Sequence, residues 1–262
     1  MNIPGISKLE ITSAGNQRYK EWKKIVKDSS SRDIPWIPVE GKKQVSELAR
    51  EIRPELLLVS TEERVSEIES LAGQSRSVVK ISERLMRGLS GVENSQGLLA
   101  FFKKPSWGIR DMTSKVICLE GVQDPGNLGT IIRSAAALGD FSIACCGHSV
   151  SPFNSKVIRS SAGYLFKVPL ISGISPAELQ ESGYHLWYSF PGEGTALPDA
   201  RFSFPAAIVF GSEGSGLDGH DIPKDASKLS IPMKGGMDSL NLAVASAIVM
   251  YEISRKEAGC HA

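Results

Sequence analysis

The chain has 262 residues, 41% of them hydrophobic, enough to bury a sizeable core in one large or two modest domains. No apolar run approaches the roughly 20 residues that span a bilayer, and Met1-Asn2-Ile3-Pro4-Gly5 lacks the basic-then-apolar order of a signal peptide, so the expected location is the cytoplasm. The net charge of +1 hides an asymmetry: Lys and Arg number 18 against 14 Asp and Glu in residues 1–105, and 12 against 15 in 106–262.

The basic excess is concentrated early, in Arg18, Lys20, Lys23, Lys24 and Lys27, interleaved with Tyr19 and Trp22. That mixture resembles a surface for nucleic-acid phosphates and bases, although a charge run can also be a solvated helix face. From Glu40 onward the elements alternate. Val45, Leu48, Ala49 and Ile52 mark a helix, Leu56 to Val59 a strand, and Val65, Ile68 and Leu71 a second helix. Val78 to Ile81 reads as a strand, Arg84 to Leu89 as a short helix and Leu98 to Phe102 as another strand. Lys103-Lys104-Pro105 breaks the pattern, which predicts a domain boundary near 105.

Beyond the break, strands are expected at 115–120, 141–146, 166–171, 185–190, 206–210 and 228–231. Helices are expected near 129–138, 154–162, 176–182 and 239–256, an alternation that implies a mostly parallel sheet covered on both faces. The last helix is apolar on most sides and should bury itself against the sheet and against a further surface, such as a second subunit. Cys118, Cys145 and Cys146 fall within apolar strand-like runs, where a thiol acts as a small hydrophobe, and no C-x-x-C occurs. His148, His185, His220 and His261 show no metal-ligand spacing, so no metal is expected.

Three Gly-rich segments carry chemistry. In Asp124-Pro125-Gly126-Asn127-Leu128-Gly129-Thr130-Ile131-Ile132-Arg133 a strand runs through a turn into a helix, delivering Asn127 and Arg133 where α/β sheets bind ligands. Ile208-Val209-Phe210-Gly211-Ser212-Glu213-Gly214-Ser215-Gly216-Leu217 is a buried strand entering a loop with three Gly and one carboxylate. In Ile231-Pro232-Met233-Lys234-Gly235-Gly236-Met237-Asp238-Ser239-Leu240-Asn241, capping explains Asp238 and Ser239 but leaves Asn241 in the first helical turn without a role. There is no G-x-G-x-x-G, P-loop lysine motif or G-x-S-x-G, which argues against a nucleotide-linked oxidoreductase, an NTPase and a hydrolase.

These segments, in this order and spacing, closely resemble the three motifs of the SpoU (TrmH-like) RNA ribose 2'-O-methyltransferases of the SPOUT class. The resemblance covers about 106–256, including Arg159-Ser160-Ser161-Ala162-Gly163-Tyr164-Leu165-Phe166, while Ile37 to Ala49 look like the usual N-terminal module. Ser134 stands where Thr is common and Leu138 where Phe is common. The resemblance implies an L30e-like α/β substrate-binding domain over 1–105. Over 106–262 it implies a Rossmann-like SPOUT domain with a parallel sheet and a C-terminal trefoil knot, paired as a homodimer. It also implies S-adenosylmethionine as cofactor, held through Gly211, Ile231 and Leu240, and methyl transfer to a ribose 2'-hydroxyl. Arg133 matches the catalytic Arg, with Asn127, Glu213, Ser239 and Asn241 around it. Because a guanidinium normally stays protonated, Arg133 is expected to orient the hydroxyl and stabilise developing oxyanion. The expected RNA-contacting cations are Arg18, Lys20, Lys23, Lys24, Arg32 and Arg159. Ribosomal RNA is favoured as substrate because a distinct N-terminal RNA-binding module is present; transfer RNA and a non-catalytic RNA-binding paralogue are the alternatives.

Overall fold

A computed structural model of the chain describes residues 10–31, 33–60, 65–90, 96–213, 216–217, 222–235 and 238–259. Two compact units divide it, residues 1–105 with 153–159 and residues 106–152 with 160–262. No helix among the described residues is long and apolar enough to cross a membrane.

In the first unit β1 (Glu10–Ile11), α1 (Gln17–Lys27), β2 (Trp36–Glu40), α2 (Lys42–Ala49), β3 (Leu56–Ser60), α3 (Val65–Gln74), β4 (Val78–Ile81), α4 (Glu83–Leu89) and β5 (Leu98–Lys103) follow one another. The sheet order is β1-β4-β3-β5-β2; β5 runs antiparallel to both neighbours and the other pairs are parallel. Asn16 starts α1 by accepting from the Arg18 amide at 2.9 Å, and Lys24 and Lys27 lie in its last turn, where cations suit the helix dipole.

The sequence pattern misled at one point here. Tyr19 and Trp22 are 5% and 7% exposed and pack with Leu58, Val79, Ile81, Leu85, Met86, Leu99 and Phe101, so they are core rather than base-stacking residues. Three residues apart on a helix, they fall on one face, and interleaving in sequence becomes separation in space. Tyr19 Oη also donates to the Leu85 carbonyl at 3.2 Å, and a Cβ on Gly88 would lie 2.4 Å from that hydroxyl. Lys104 is structural as well: its Nζ donates to the Ser29 and Ser31 carbonyls at 3.0 and 2.9 Å and sits 4.4 Å from the Phe153 ring centre. Burial pushes its pKa down.

The remaining elements are β6 (Lys115–Glu120), α5 (Pro125–Leu138), β7 (Phe141–Cys146), α6 (Ser155–Ser160), β8 (Leu170–Ile174), α7 (Pro176–Glu181), β9 (His185–Ser189), β10 (Thr195–Ala196), β11 (Ala206–Phe210), β12 (Ser227–Ser230) and α8 (Leu242–Gly259). All but α6, most of which belongs with the first unit, build a seven-stranded sheet of order β10-β12-β9-β11-β6-β7-β8 and its covering helices. Each neighbouring pair is parallel. Parallel strands need both faces covered, and β7 and β11 are buried throughout. On one face Val116, Cys118, Ala144, Leu186, Ala207 and Val209 share a cluster with Leu179 and Tyr184, while α5 packs against α8.

The turn after α6 moved two boundaries. The strand expected at 166–171 begins only at Leu170, because Ala162 (φ +49°) and Gly163 (φ +85°) turn the chain into a 3₁₀ turn at Tyr164–Phe166. The same turn stops α6 at Ser160 rather than 162. Cys118 and Cys146 place their sulfurs 3.2 Å apart inside the sheet. Their mutual contact and burial raise the Cys118 pKa, and burial raises that of Cys145, so these two behave as packing thiols rather than nucleophiles.

Candidate active site

The strand order reverses beside β6: β7 and β8 lie on one side and β11, β9, β12 and β10 on the other. In such sheets ligands bind beyond the carboxyl ends of the strands flanking the switch, which are here Glu120 of β6 and Phe210 of β11. Gly121 (φ +75°) turns the chain out of β6, and its amide donates to the Cys146 carbonyl at 3.2 Å. The Val122 amide donates to Ser149 Oγ at 3.2 Å and the Gln123 side-chain amide donates to the His148 carbonyl, so this loop is fastened to the one after β7.

Asp124 then caps α5, its Oδ1 accepting from the Gly126 and Asn127 amides at 2.5 and 3.4 Å. Pro125 occupies the first helical position, where its missing N–H costs nothing. The helix therefore begins at 125 rather than 129, and Asn127 lies in its first turn. A Cβ on Gly129 would come within 2.6 Å of Ser160 Cβ, so only Gly lets the neighbouring segment lie this close.

Gly211 opens the second wall. Ser212 and Gly216 exchange backbone hydrogen bonds of 3.0 and 3.1 Å, folding the loop onto itself. A Cβ on Gly211 would lie 2.1 Å from the Gly216 carbonyl carbon and oxygen, closer than any side chain tolerates. Glu213 Oε1 accepts from Asn127 Nδ2 at 2.7 Å, and Oε2 from the Gln123 amide at 3.5 Å. Asn127 Oδ1 accepts in turn from Asn241 Nδ2 at 3.1 Å. Asn241 Oδ1 accepts from the Ala243 and Val244 amides at 2.9 and 3.3 Å. One chain of polar contacts thus joins the three Gly-rich segments.

That chain corrects the reading of the third segment. α8 starts at Leu242 rather than 239, so Asn241 is itself the N-cap; Asp238 and Ser239 lie before it and are exposed. The carboxamide does two jobs, its oxygen capping the helix and its nitrogen reaching Asn127.

Beside this chain lies a pocket of about 520 Å³. Gly211, Ile231 and Leu240 line it, as do Glu213, Ser239 and Asn241. Asn127 joins through Glu213, whereas Arg133 projects from α5 as an exposed side chain outside the lining and makes no hydrogen bond or ion pair with the other described residues. The opposite wall, Ser189, Phe190 and Pro191, escaped the sequence reading. The signal was available in principle, because these residues end an expected strand at the ligand-binding edge. Tyr188, just before them, has its pKa pushed up to about 12, first by burial and then by Cys118, Glu120 and Cys146.

Of the expected RNA-contacting cations, Arg18, Lys20, Lys23 and Lys24 are exposed along α1 of the first unit. Arg159 is half-buried on α6, and Arg32 lies outside the described residues.

The family model described as the SpoU rRNA Methylase family matches residues 114–251, which contain all three segments. The chain belongs to that family. It is 29% identical to the 23S rRNA (guanosine(2553)-2'-O)-methyltransferase RlmP of Bacillus subtilis over 93% of this chain and 98% of the relative. To an uncharacterized tRNA/rRNA methyltransferase of Mycobacterium bovis it is 32% identical, over 76% and 74% of the two chains. Among solved structures, the AdoMet-bound rRNA methyltransferase of Sinorhizobium meliloti superposes with a TM-score of 0.79 at 23% identity, covering 95% of this chain and 97% of that one. An RNA 2'-O ribose methyltransferase superposes with a TM-score of 0.74 at 26% identity, covering 95% and 100%. The SpoU family thus accounts for the α/β architecture and the parallel sheet.

Proposed function

We propose that the chain is an S-adenosylmethionine-dependent methyltransferase acting on a ribose 2'-hydroxyl of RNA, with ribosomal RNA as the substrate class. The observation that carries this reading is the Glu213–Asn127–Asn241 chain beside the pocket, formed from three distant segments of a SpoU-family sequence. Ribosomal RNA follows from the relatives, since RlmP and the Xanthomonas campestris RlmB are both 23S rRNA guanosine-2'-O-methyltransferases. A cytoplasmic location goes with that reading.

The pocket suits the cofactor. Phe210, Leu217, Ile231, Leu240, Leu242 and Ala245 give apolar walls, with Ser189, Glu213, Ser239 and Asn241 as the few polar groups. Gly211 makes one wall from backbone, which allows close approach of an adenosine edge. S-adenosylmethionine supplies an electrophilic methyl group on its sulfonium. The chain's own part is to hold and orient the hydroxyl: Glu213 anchors Asn127, Asn127 and Asn241 fix the mouth of the pocket, and Arg133 orients the 2'-oxygen and stabilises the charge it develops.

The first unit is assigned as the L30e-like RNA-binding domain, with Arg18, Lys20, Lys23, Lys24, Arg32 and Arg159 as its phosphate-binding cations. The second carries the trefoil knot of the family at its C-terminus and pairs as a homodimer. Support for pairing comes from α8, where Val244, Ile248 and Tyr251 are 49%, 36% and 58% exposed at helical spacing. Arg133→Ala should abolish methyl transfer while calorimetry finds S-adenosylmethionine binding nearly unchanged. Equal loss of both would remove Arg133 from the reaction.

A further inference from the structure

The segment after α6 presents an aromatic side chain for which the proposed reaction has no use. Ser160 Oγ donates to the Pro125 carbonyl at 3.1 Å and packs on Gly129, and the following 3₁₀ turn, Tyr164–Phe166, packs against α5. Ala162 and Gly163 take positive φ to make that turn. Leu165 and Phe166 then point inward, 1% and 8% exposed, while Tyr164 is left 40% exposed. Residues three apart eclipse in a 3₁₀ turn, and Lys167 accordingly sets its Nζ 5.6 Å from the Tyr164 ring centre. Arg133 stands one helical turn beyond Gly129 on α5, the helix against which this turn packs.

We propose that Tyr164 is a stacking platform for an unpaired base of the RNA substrate, a positioning residue for the nucleotide that Arg133 serves. Lys167 lies over a ring that is 40% exposed, and an aromatic ring beside cations is the chemistry that binds single-stranded RNA. A second copy of the chain is the rival occupant of this patch, and sedimentation separates it from RNA. The inference rests on the methyltransferase reading.

The test compares wild type with Tyr164→Ala, Tyr164→Phe and Lys167→Ala, using an in vitro transcript of 23S rRNA as probe. RNA affinity by filter binding, methyl incorporation, S-adenosylmethionine affinity and sedimentation are all measured. Tyr164→Ala should weaken RNA binding about tenfold or more and raise KM for RNA with little change in kcat, Tyr164→Phe should restore both, and Lys167→Ala should give a smaller loss. Cofactor affinity and sedimentation should not move. RNA binding by Tyr164→Ala equal to wild type overturns the proposal, and a change in sedimentation alone assigns the ring to a second copy instead. A wild type that binds the transcript through Tyr164 yet transfers no methyl would sink the enzymatic reading and leave the stacking surface standing.

Discussion

Asn127 is the residue on which the polar chain turns, because its carboxamide donates to Glu213 and accepts from Asn241 at once. Asn127→Asp sets a carboxylate against the Glu213 carboxylate, and kcat/KM should fall about 100-fold or more, whereas Glu213→Gln keeps an acceptor oxygen and should cost about tenfold or less. Equal losses in steady-state kinetics would contradict this donor order. Asn241 separates its two jobs by substitution. Asn241→Asp keeps the cap but loses the donor to Asn127, so the melting temperature should hold while activity drops. Asn241→Ala should lose about 1 kcal/mol as well, a shift of roughly 2–4 °C in thermal unfolding. Asn127, Glu213 and Asn241, which hydrogen bonds join, could be named from the sequence, but the double role of Asn241 could not. It depends on where α8 begins, and three residues at a helix start lie within the uncertainty of periodicity.

At the scale of single elements, α1 teaches the clearest lesson. Its cations were correctly read as a surface and its aromatics were not, since the sequence does not say which helical face meets the sheet. Lys23 and Lys24 remain exposed on it, and replacing both with Ala should weaken RNA binding and lower the salt slope by about one for each phosphate no longer neutralised. An unchanged slope in filter binding across a salt series would detach α1 from the RNA. The outward stripe of α8 makes a separate prediction: Val244→Glu with Tyr251→Glu should convert a dimer to a monomer in sedimentation, and an unaltered mass would move the interface elsewhere. The inner face of α8 is held independently, by Leu242, Val249, Met250 and Ile253 in the core and by Lys115 Nζ on Glu257 at 2.7 Å, so the variant should still fold.

For the whole molecule, strand–helix alternation pointed to a parallel sheet, and Gly-rich strand ends pointed to the edge where the pocket lies. Strand order was not legible, because the pairing of β11 with β6 and β9 joins residues far apart in sequence and leaves no local periodicity. The two-residue β10 was missed for the same reason. The pocket, assembled from several such ends, should couple cofactor binding to global stability: S-adenosylmethionine at about 100 times its Kd should add about 2.7 kcal/mol in thermal unfolding, and NAD nothing. The most direct measurement of the central claim is to incubate the purified chain with unmodified 23S rRNA and methyl-labelled S-adenosylmethionine, then map the label by nucleotide. Label on a ribose 2'-oxygen with wild type and none with Arg133→Ala is the predicted result; label on a base, or equal labelling by Arg133→Ala, would contradict it.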